Sequence, residues 1–211
     1  LAKSGLIENG SAMLRTLALF FLLSGATVAR AEKPASPEDA AADFAIMAQA
    51  ALASSDGVAR TPLAEHGQKA TVLIFLTHDC PVTNATAPEL ARLTGEFTPR
   101  GVHFFGIYTT ETAAEINTHR RDYGLAFPGL LDPKLQLARL AGATRVPEAA
   151  IFSPAGKLLY RGRIDDRAVQ PGRTRPTPSR HDLRLALEAA LAGQTPEPRF
   201  TSSVGCYLQT N

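Results

Sequence analysis

Residues Thr71–Leu90 read TVLIFLTHDCPVTNATAPEL, and this stretch decides the fold. The opening TVLIFL is too short for a helix, rich in β-formers and apolar at both parities, the pattern of a strand buried on both faces. Cys80 follows a short polar turn and directly precedes Pro81. Proline is favoured at the first helical position, so a helix is predicted to begin there. A thiol at such a turn meets unpaired backbone N–H groups and the positive end of a helix dipole, which stabilise the thiolate and lower its pKa. The opposite reading is a buried, inert cysteine acting as a small hydrophobe. The polar neighbours Thr77, His78, Asp79, Thr83 and Asn84 favour a reactive or ligating thiol.

Working outward, Thr86-Ala87-Pro88-Glu89 has capping-box spacing, with Leu90 and Leu93 at helical intervals up to Phe97. Val102–Tyr108 (VHFFGIY) predicts a second strand. Thr112-Ala113-Ala114-Glu115 is another capping box, opening a polar helix that Gly124 closes. Phe127–Leu131 reads as a weaker strand, and Asp132-Pro133 as the start of a short helix through Leu140, ending near Gly142. Glu148–Phe152 and Leu158–Arg163 flank a Pro/Gly turn of hairpin length. Ser179–Asp182 caps a last helix with Leu183, Leu187 and Leu191 on one face. Strands alternating with helices, then a hairpin and a final helix, predict an α/β layer fold with a mixed sheet. Ile164–Thr177 and the tail Gln194–Asn211 lack a regular pattern and read as long loops.

Upstream, Ser36-Pro37-Glu38-Asp39 predicts a helix start, continued by an Ala-rich stretch to Ala53 and ended by Ser54–Gly57. Earlier still, Met13-Leu14-Arg15 opens the apolar run Leu17–Leu23, followed by Ser24-Gly25-Ala26 and the A-x-A signature Ala29-Arg30-Ala31. That order predicts a cleaved secretory signal, with the residues before Met13 lying upstream of the natural start. A membrane anchor is the other reading, but Leu17–Val28 falls well short of the roughly 20 residues a spanning helix needs. The expected layout is 1–31 as upstream residues and signal, 32–70 as a helix and lead-in, 71–193 as the main domain, and 194–211 as a tail. A periplasmic or secreted location follows, where disulfides persist.

Composition agrees with one globular domain. Of 211 residues, 45% are hydrophobic and 20% charged, which excludes a disordered chain. The net charge of +2 gives no basic field, so nucleic acid is not an expected partner. Removing the signal takes Lys3, Arg15, Arg30 and Glu8 and leaves acidic and basic groups in balance. Two cysteines, Cys80 and Cys206, exclude a zinc array or disulfide-dense scaffold but allow one redox pair.

THDCPVTNATAPEL resembles the active-site turn of thioredoxin-fold proteins, with Cys80 at the first cysteine and Pro88 at the helix-kinking proline. Arg145-Val146-Pro147 is similar to the segment that holds the family's cis-proline, and SPAGKLLYRGR fits the hairpin that follows it. Within the superfamily the chain looks like a secreted redoxin of the alkyl hydroperoxide reductase and thiol-specific antioxidant group. A Cys-Pro-x-x-Asn turn there accompanies Gly-Arg-Ile-Asp-Asp-Arg, Arg-His-Asp-Leu and a terminal Gly-Cys, present here as Gly162–Arg167, Arg180–Leu183 and Gly205-Cys206. The resemblance covers roughly Thr71–Ala192 and implies a thioredoxin-like mixed sheet, thiol oxidoreductase chemistry and peroxide or protein thiols and disulfides as partners.

Departures from the pattern carry information too. Thr83 stands at the second cysteine of Cys-x-x-Cys, so any intramolecular disulfide must reach Cys206. Thr77 fits the Thr-x-x-Cys of peroxiredoxins, whose hydroxyl orients peroxide, but Leu73 replaces their preceding proline. Cys206, on an irregular tail, is the candidate resolving residue, and closing so long a loop stabilises a fold by on the order of 4–5 kcal/mol in the chain-entropy view. A permanent structural staple is the competing reading. Arg145 before Pro147 is a candidate to face the thiolate. The arginines from Arg161 to Arg180, interleaved with Asp165, Asp166 and Asp182, read first as an ion-pair network and second as an anion pocket. His66, His103 and His119 show no ligand spacing.

Three functions fit: an exported thiol oxidoreductase using Cys80 and Cys206 with Thr77, Arg145 and Pro147 assisting; a copper carrier using Cys80, Cys206 and His78 or His181 as soft ligands; and a non-catalytic domain with a structural disulfide. The first requires no cofactor.

Overall fold

The computed structural model describes residues 49–208. The signal, the Ser36 helix start and residues 209–211 lie outside them. The chain first forms a small antiparallel hairpin, β1 (Leu52–Ala53) against β2 (Ala59–Arg60). The helix expected to continue to Ala53 is therefore replaced at Leu52–Ala53 by extended chain. Tertiary contact overrides alanine propensity there: Ser55 N–H donates to the Gly129 carbonyl at 2.8 Å, and Ser54 Oγ to the same oxygen at 3.2 Å.

The body follows the expected alternation. Its elements are β3 (Ala70–Phe75), α1 (Pro81–Phe97), β4 (Val102–Tyr108), α2 (Ala113–Asp122), β5 (Gly129–Leu131) and α3 (Gln136–Ala141). Then come β6 (Arg145–Val146), β7 (Glu148–Phe152), β8 (Leu158–Gly162), β9 (Ala168–Gln170), β10 (Arg173–Thr174), α4 (Asp182–Leu191) and β11 (Cys206–Tyr207). Five strands form a mixed sheet in the order β5-β4-β3-β7-β8. β3 runs parallel to β4 and antiparallel to β7, so it sits at the centre and every residue of it is buried. This is the α/β mixed sheet that the pattern predicted.

The alternation of β3 divides the core into two layers. Val72, Ile74 and Leu76 pack with Leu90, Leu93 and Phe97 of α1 and Leu183 and Leu187 of α4. Leu73 and Phe75 face the other way, toward Leu137 and Ala141 of α3, and Cys80 belongs to this second layer.

Local chemistry sets the boundaries. Thr112 and Glu115 form the predicted capping box of α2. Asp132, fully buried, accepts N–H bonds from Gln136, Leu137 and Ala138, so α3 starts later than the Asp-Pro pair suggested. Burial pushes the Asp132 carboxyl above its ordinary pKa against the pull of those three donors. The expected box at Thr86 is not a helix start: α1 begins at Pro81 with Cys80 at the N-cap, and Thr86 Oγ1 donates back to the Val82 carbonyl at 2.7 Å. Likewise Ser179 does not cap α4, because its hydroxyl and backbone N–H both go to Asp166.

The two segments read as loops carry structure. Ile164–Thr177 contains the β9–β10 hairpin. The tail is docked, not free: Arg161 N–H donates to the Arg199 carbonyl, Thr201 N–H to the Arg161 carbonyl, and Leu208 N–H to the Thr144 carbonyl, all at 3.0–3.1 Å. Two glycines permit this approach. A Cβ on Gly162 would lie 2.0 Å from Thr201 Oγ1, and one on Gly205 would lie 2.0 Å from the Val146 carbonyl oxygen.

Candidate active site

Three segments meet at Cys80: the turn after β3, the strand β6 that leads into Pro147, and β11 of the tail. The Val146–Pro147 peptide is cis, as the motif implied. β11 pairs antiparallel with β6, placing Cys206 opposite Val146 and Tyr207 opposite Arg145. Because successive strand residues alternate faces, Cys206 and Val146 share the face toward Cys80. Cys206 Sγ lies 2.6 Å from Cys80 Sγ across 126 positions of chain, and Val146 O lies 3.6 Å from the same sulfur. Disulfide formation needs an approach to about 2.05 Å, so the pair stands within reach of bonding with small motion.

The two thiols are unequal. Cys80 is only 1% exposed, whereas Cys206 is partly open to solvent. Burial pushes the Cys80 pKa up, but the Cys206 thiol, the N–H groups of Thr83 and Cys206, and the Thr83 hydroxyl outweigh it and hold Cys80 below the ordinary thiol value. Cys206 is pushed up to about 11 by desolvation, by its bond to Cys80 and by the Cys80 and Asp79 charges. The reduced pair thus carries its first negative charge on Cys80.

Thr83 is a site residue that the sequence marks only as a polar neighbour of Cys80 standing where a second cysteine would be. Its side chain is buried, and Oγ1 has no hydrogen-bond partner other than the Cys80 sulfur it helps to stabilise. Asn84 is another. Its Nδ2 donates to the His78 carbonyl at 3.0 Å, and its Oδ1 accepts from His119 Nε2 at 2.9 Å. His119 Nδ1 then accepts from the Tyr108 hydroxyl at 2.8 Å, a chain of bonds that ties the turn to α2 and β4. The signal was present in the Cys-Pro-x-x-Asn spacing, but its partner His119 is 35 positions away.

Other predicted residues sit elsewhere than expected. Thr77 Oγ1 donates to Asp79 Oδ1 at 2.6 Å, a bond that holds the Asp79 carboxyl below its usual range. The Thr77 hydroxyl is thus committed within the turn. Arg145 does not face the thiol: on the opposite face of β6 its guanidinium stacks 4.0 Å over Tyr207 and donates to the Gly205 carbonyl at 3.2 Å, clamping the tail. His78 lies against the buried Glu111, 3.5 Å away, and His181 against Glu89 at 3.3 Å. The expected copper ligands are therefore gathered only at the two sulfurs. Among the described residues no group of three or more His, Cys, Asp or Glu side chains is placed to hold a metal.

The arginine cluster is an ion-pair network. Asp182 accepts from Arg163 Nε and Arg180 Nε, each at 2.6 Å. Asp166 accepts from the Ser179 and Arg180 N–H groups, Ser179 Oγ and Arg175 Nη1, and this holds its pKa at about 2, the Ser179 hydroxyl contributing most. These bonds join the Gly162–Arg167 and Arg180–Leu183 motifs. Beside them a cleft of about 410 Å³ runs from Pro81 and Val82 past Pro147 and Cys206 to the β9–β10 hairpin.

The sheet order, the cysteine at the head of α1 and the cis-proline beside it define a thioredoxin-like redoxin. The AhpC/TSA family matches residues 37–161, more than half of the chain, and the chain belongs to that family. A comparison with curated proteins finds no match. Among solved structures the chain is similar to an uncharacterized conserved protein from Geobacillus kaustophilus, at 28% identity and TM-score 0.65, covering 76% of this chain and 88% of that one. A hypothetical protein from Sinorhizobium meliloti 1021 is 23% identical at TM-score 0.66, covering 77% and 91%. A secreted Mycobacterium tuberculosis disulfide oxidoreductase homologous to E. coli DsbE shares the fold at 21% identity and TM-score 0.50, covering 70% and 98%. Among the described residues no helix is long and apolar enough to cross a membrane.

Proposed function

We propose that this protein is an exported thiol–disulfide oxidoreductase that cycles between a Cys80–Cys206 dithiol and the corresponding disulfide. The observation that carries the reading is the 2.6 Å approach of the two sulfurs beside Val146-Pro147. In the oxidising direction the Cys80 thiolate attacks a sulfur of a substrate disulfide, forming a mixed disulfide and releasing the substrate's other sulfur as a thiolate. The Cys206 thiol then loses its proton and attacks Cys80 Sγ, releasing the reduced substrate and leaving the Cys80–Cys206 disulfide. Thr83 stabilises the Cys80 thiolate before attack. Disulfide exchange is preferred over peroxide reduction because the Thr77 hydroxyl, which would orient a peroxide, is bound to Asp79. Export rests on the apolar run Leu17–Leu23 and the following Ala29-Arg30-Ala31.

The test is intact-mass analysis after incubation with diamide, together with turnover of a peptide disulfide. The mass is expected to fall by two hydrogens in the wild type and by none in Cys80→Ser or Cys206→Ser. A wild-type chain that keeps both thiols free for alkylation would overturn the reading. Turnover of hydrogen peroxide at a rate exceeding that of the peptide disulfide would transfer the activity to peroxidase chemistry. The N-terminal residue of the mature protein, expected after Ala31, tests export.

A further inference from the structure

The run Arg163-Ile164-Asp165-Asp166-Arg167 alternates in burial: Ile164 and Asp166 are buried, whereas Arg163, Asp165 and Arg167 are partly open. All three open residues line the cleft. Asp166 fixes the backbone beneath them through its bonds to Arg175, Ser179 and Arg180, so their side chains project from a rigid wall. The Arg163 charge is taken by Asp182 at 2.6 Å. Asp165 and Arg167 have no such partner. The Asp165 carboxylate accepts the Arg167 backbone N–H at 2.9 Å, and neither side chain is joined to one of opposite charge among the described residues. Arg167 Nε is buried without an acceptor. Solvated surface charges would not leave a donor buried and unmet, and such a donor is costly unless a ligand meets it.

The rest of the wall is mainly apolar, with Pro81, Val82, Ala85, Pro147 and Val204. Cys206 also lines the cleft, and its sulfur lies 2.6 Å from that of Cys80. A volume of about 410 Å³ is that of a small-molecule site. One unspent carboxylate and one unspent guanidinium thus stand in a small apolar cleft that includes a redox sulfur. We propose that this cleft binds a low-molecular-weight disulfide by its α-amino acid group, with Arg167 taking the carboxylate, Asp165 the ammonium, and the CH2–S arm lying along the apolar wall. The inference rests on the Cys80–Cys206 cycle proposed above and names its substrate class, of which cystine is the simplest member. A cysteine inside a polypeptide has neither charged group, so the site discriminates against it. The chemistry stays balanced with the protein dithiol as reductant. The Cys80 thiolate bonds to the sulfur of the bound half, and the other half leaves as a thiolate. Cys206 then bonds to Cys80 Sγ, the bound half leaves, and the Cys206 proton ends on a released thiolate. Two electrons pass: cystine becomes two cysteines and the protein dithiol becomes its disulfide.

The test is a single turnover of the reduced full-length chain with three disulfides that share one core. Cystine carries both charged groups, cystamine lacks the carboxylates and dithiodipropionate lacks the ammonium groups. Formation of the Cys80–Cys206 disulfide is followed by N-ethylmaleimide quench and mass, and each rate is divided by that of the same disulfide with mercaptoethanol. Cystine is expected to exceed both analogues, and an acetylated, amidated peptide disulfide, by at least about tenfold. Arg167→Gln is expected to slow cystine and dithiodipropionate by at least about fivefold and to leave cystamine within about twofold. Asp165→Asn keeps an oxygen for the Arg167 N–H and is expected to slow cystine and cystamine but not dithiodipropionate. Normalised rates within about threefold of one another in the wild type overturn the inference, as does equal slowing of all three disulfides in either variant. Those outcomes leave the cycle standing; a reduced wild type that forms no Cys80–Cys206 disulfide with any of them or with diamide overturns the cycle itself.

Discussion

Two polar knots organise the C-terminal part of the chain, one of sulfur and one of carboxylate. At the first, Cys206 meets Cys80 on the β11–β6 pair. At the second, Asp166 and Asp182 collect Arg163, Arg175, Ser179 and Arg180. Every carboxylate oxygen of Asp166 and Asp182 accepts a hydrogen bond. The donors around Cys80, by contrast, are satisfied best only when the sulfur is a thiolate, and the same sulfur can also form a covalent bond. Permanent charge pairs make a scaffold; a group whose partners favour one of several chemical states makes a site. Asp166, Asp182 and their partners in the motifs Gly162–Arg167 and Arg180–Leu183 belong to the scaffold, although in the sequence they stand beside the site residues as equals.

Substitutions can separate the knots. Cys80→Ser is expected to abolish disulfide-exchange turnover, by at least about 10³-fold, with an unchanged circular dichroism spectrum; residual turnover near the wild-type rate would erase the distinction. Gly205→Ala attacks the sulfur knot through its docking. The added Cβ has no room against the Val146 carbonyl, so lifting the tail should cost about 1–3 kcal/mol and slow closure of the Cys80–Cys206 pair by roughly 5–150-fold, read by stopped-flow alkylation. Asp182→Asn breaks the other knot. It leaves two half-exposed guanidiniums without their counter-charge and should lower the unfolding free energy by about 1–2 kcal/mol in urea, with the closure rate unchanged.

The mildest test is a titration. Cys206→Ala removes a donor from Cys80, so the pH profile of Cys80 alkylation should move to higher pH. For the reduced wild type the two shifts act in opposite directions. The lowered Cys80 pKa adds stability as pH rises through it toward the unfolded thiol value of about 8.5. Above that value the raised Cys206 pKa, about 11, removes stability, because only the unfolded chain can then lose its second proton. The urea midpoint of the reduced chain should therefore peak near the unfolded thiol pKa, and Cys206→Ala should flatten the alkaline limb. A midpoint rising steadily to pH 10 would show that Cys206 is not held protonated.

Much of this was legible because it is local. The strand runs, the Cys80-Pro81 helix start, the Thr112 capping box and the Pro147 segment all depend on residues a few positions apart. What could not be read depends on what arrives from elsewhere. Leu52–Ala53 looks helical until the backbone of Gly129 takes Ser54 and Ser55. Thr77 and Arg145 are the right residue types near the thiol, but each is claimed by a nearer partner: Asp79 for one, the tail for the other. Thr83 looked like a loss and is a donor. Cys206 looked mobile because its strand is two residues long and takes its register from β6 rather than from any pattern of its own.

The separation of the two sulfurs along the chain also orders events in biosynthesis. A polypeptide made from its N-terminus presents Cys80 well before Cys206, 126 residues later. At roughly 5–20 residues per second that is a delay of about 6–25 s. Throughout it Cys80 has no cysteine to pair with in its own chain. Neighbouring cysteines in a Cys-x-x-Cys pair close on each other almost as they emerge. In the proposed cycle pairing waits for synthesis to pass Cys206, so a closed Cys80–Cys206 bond would certify that the chain has been made through Cys206.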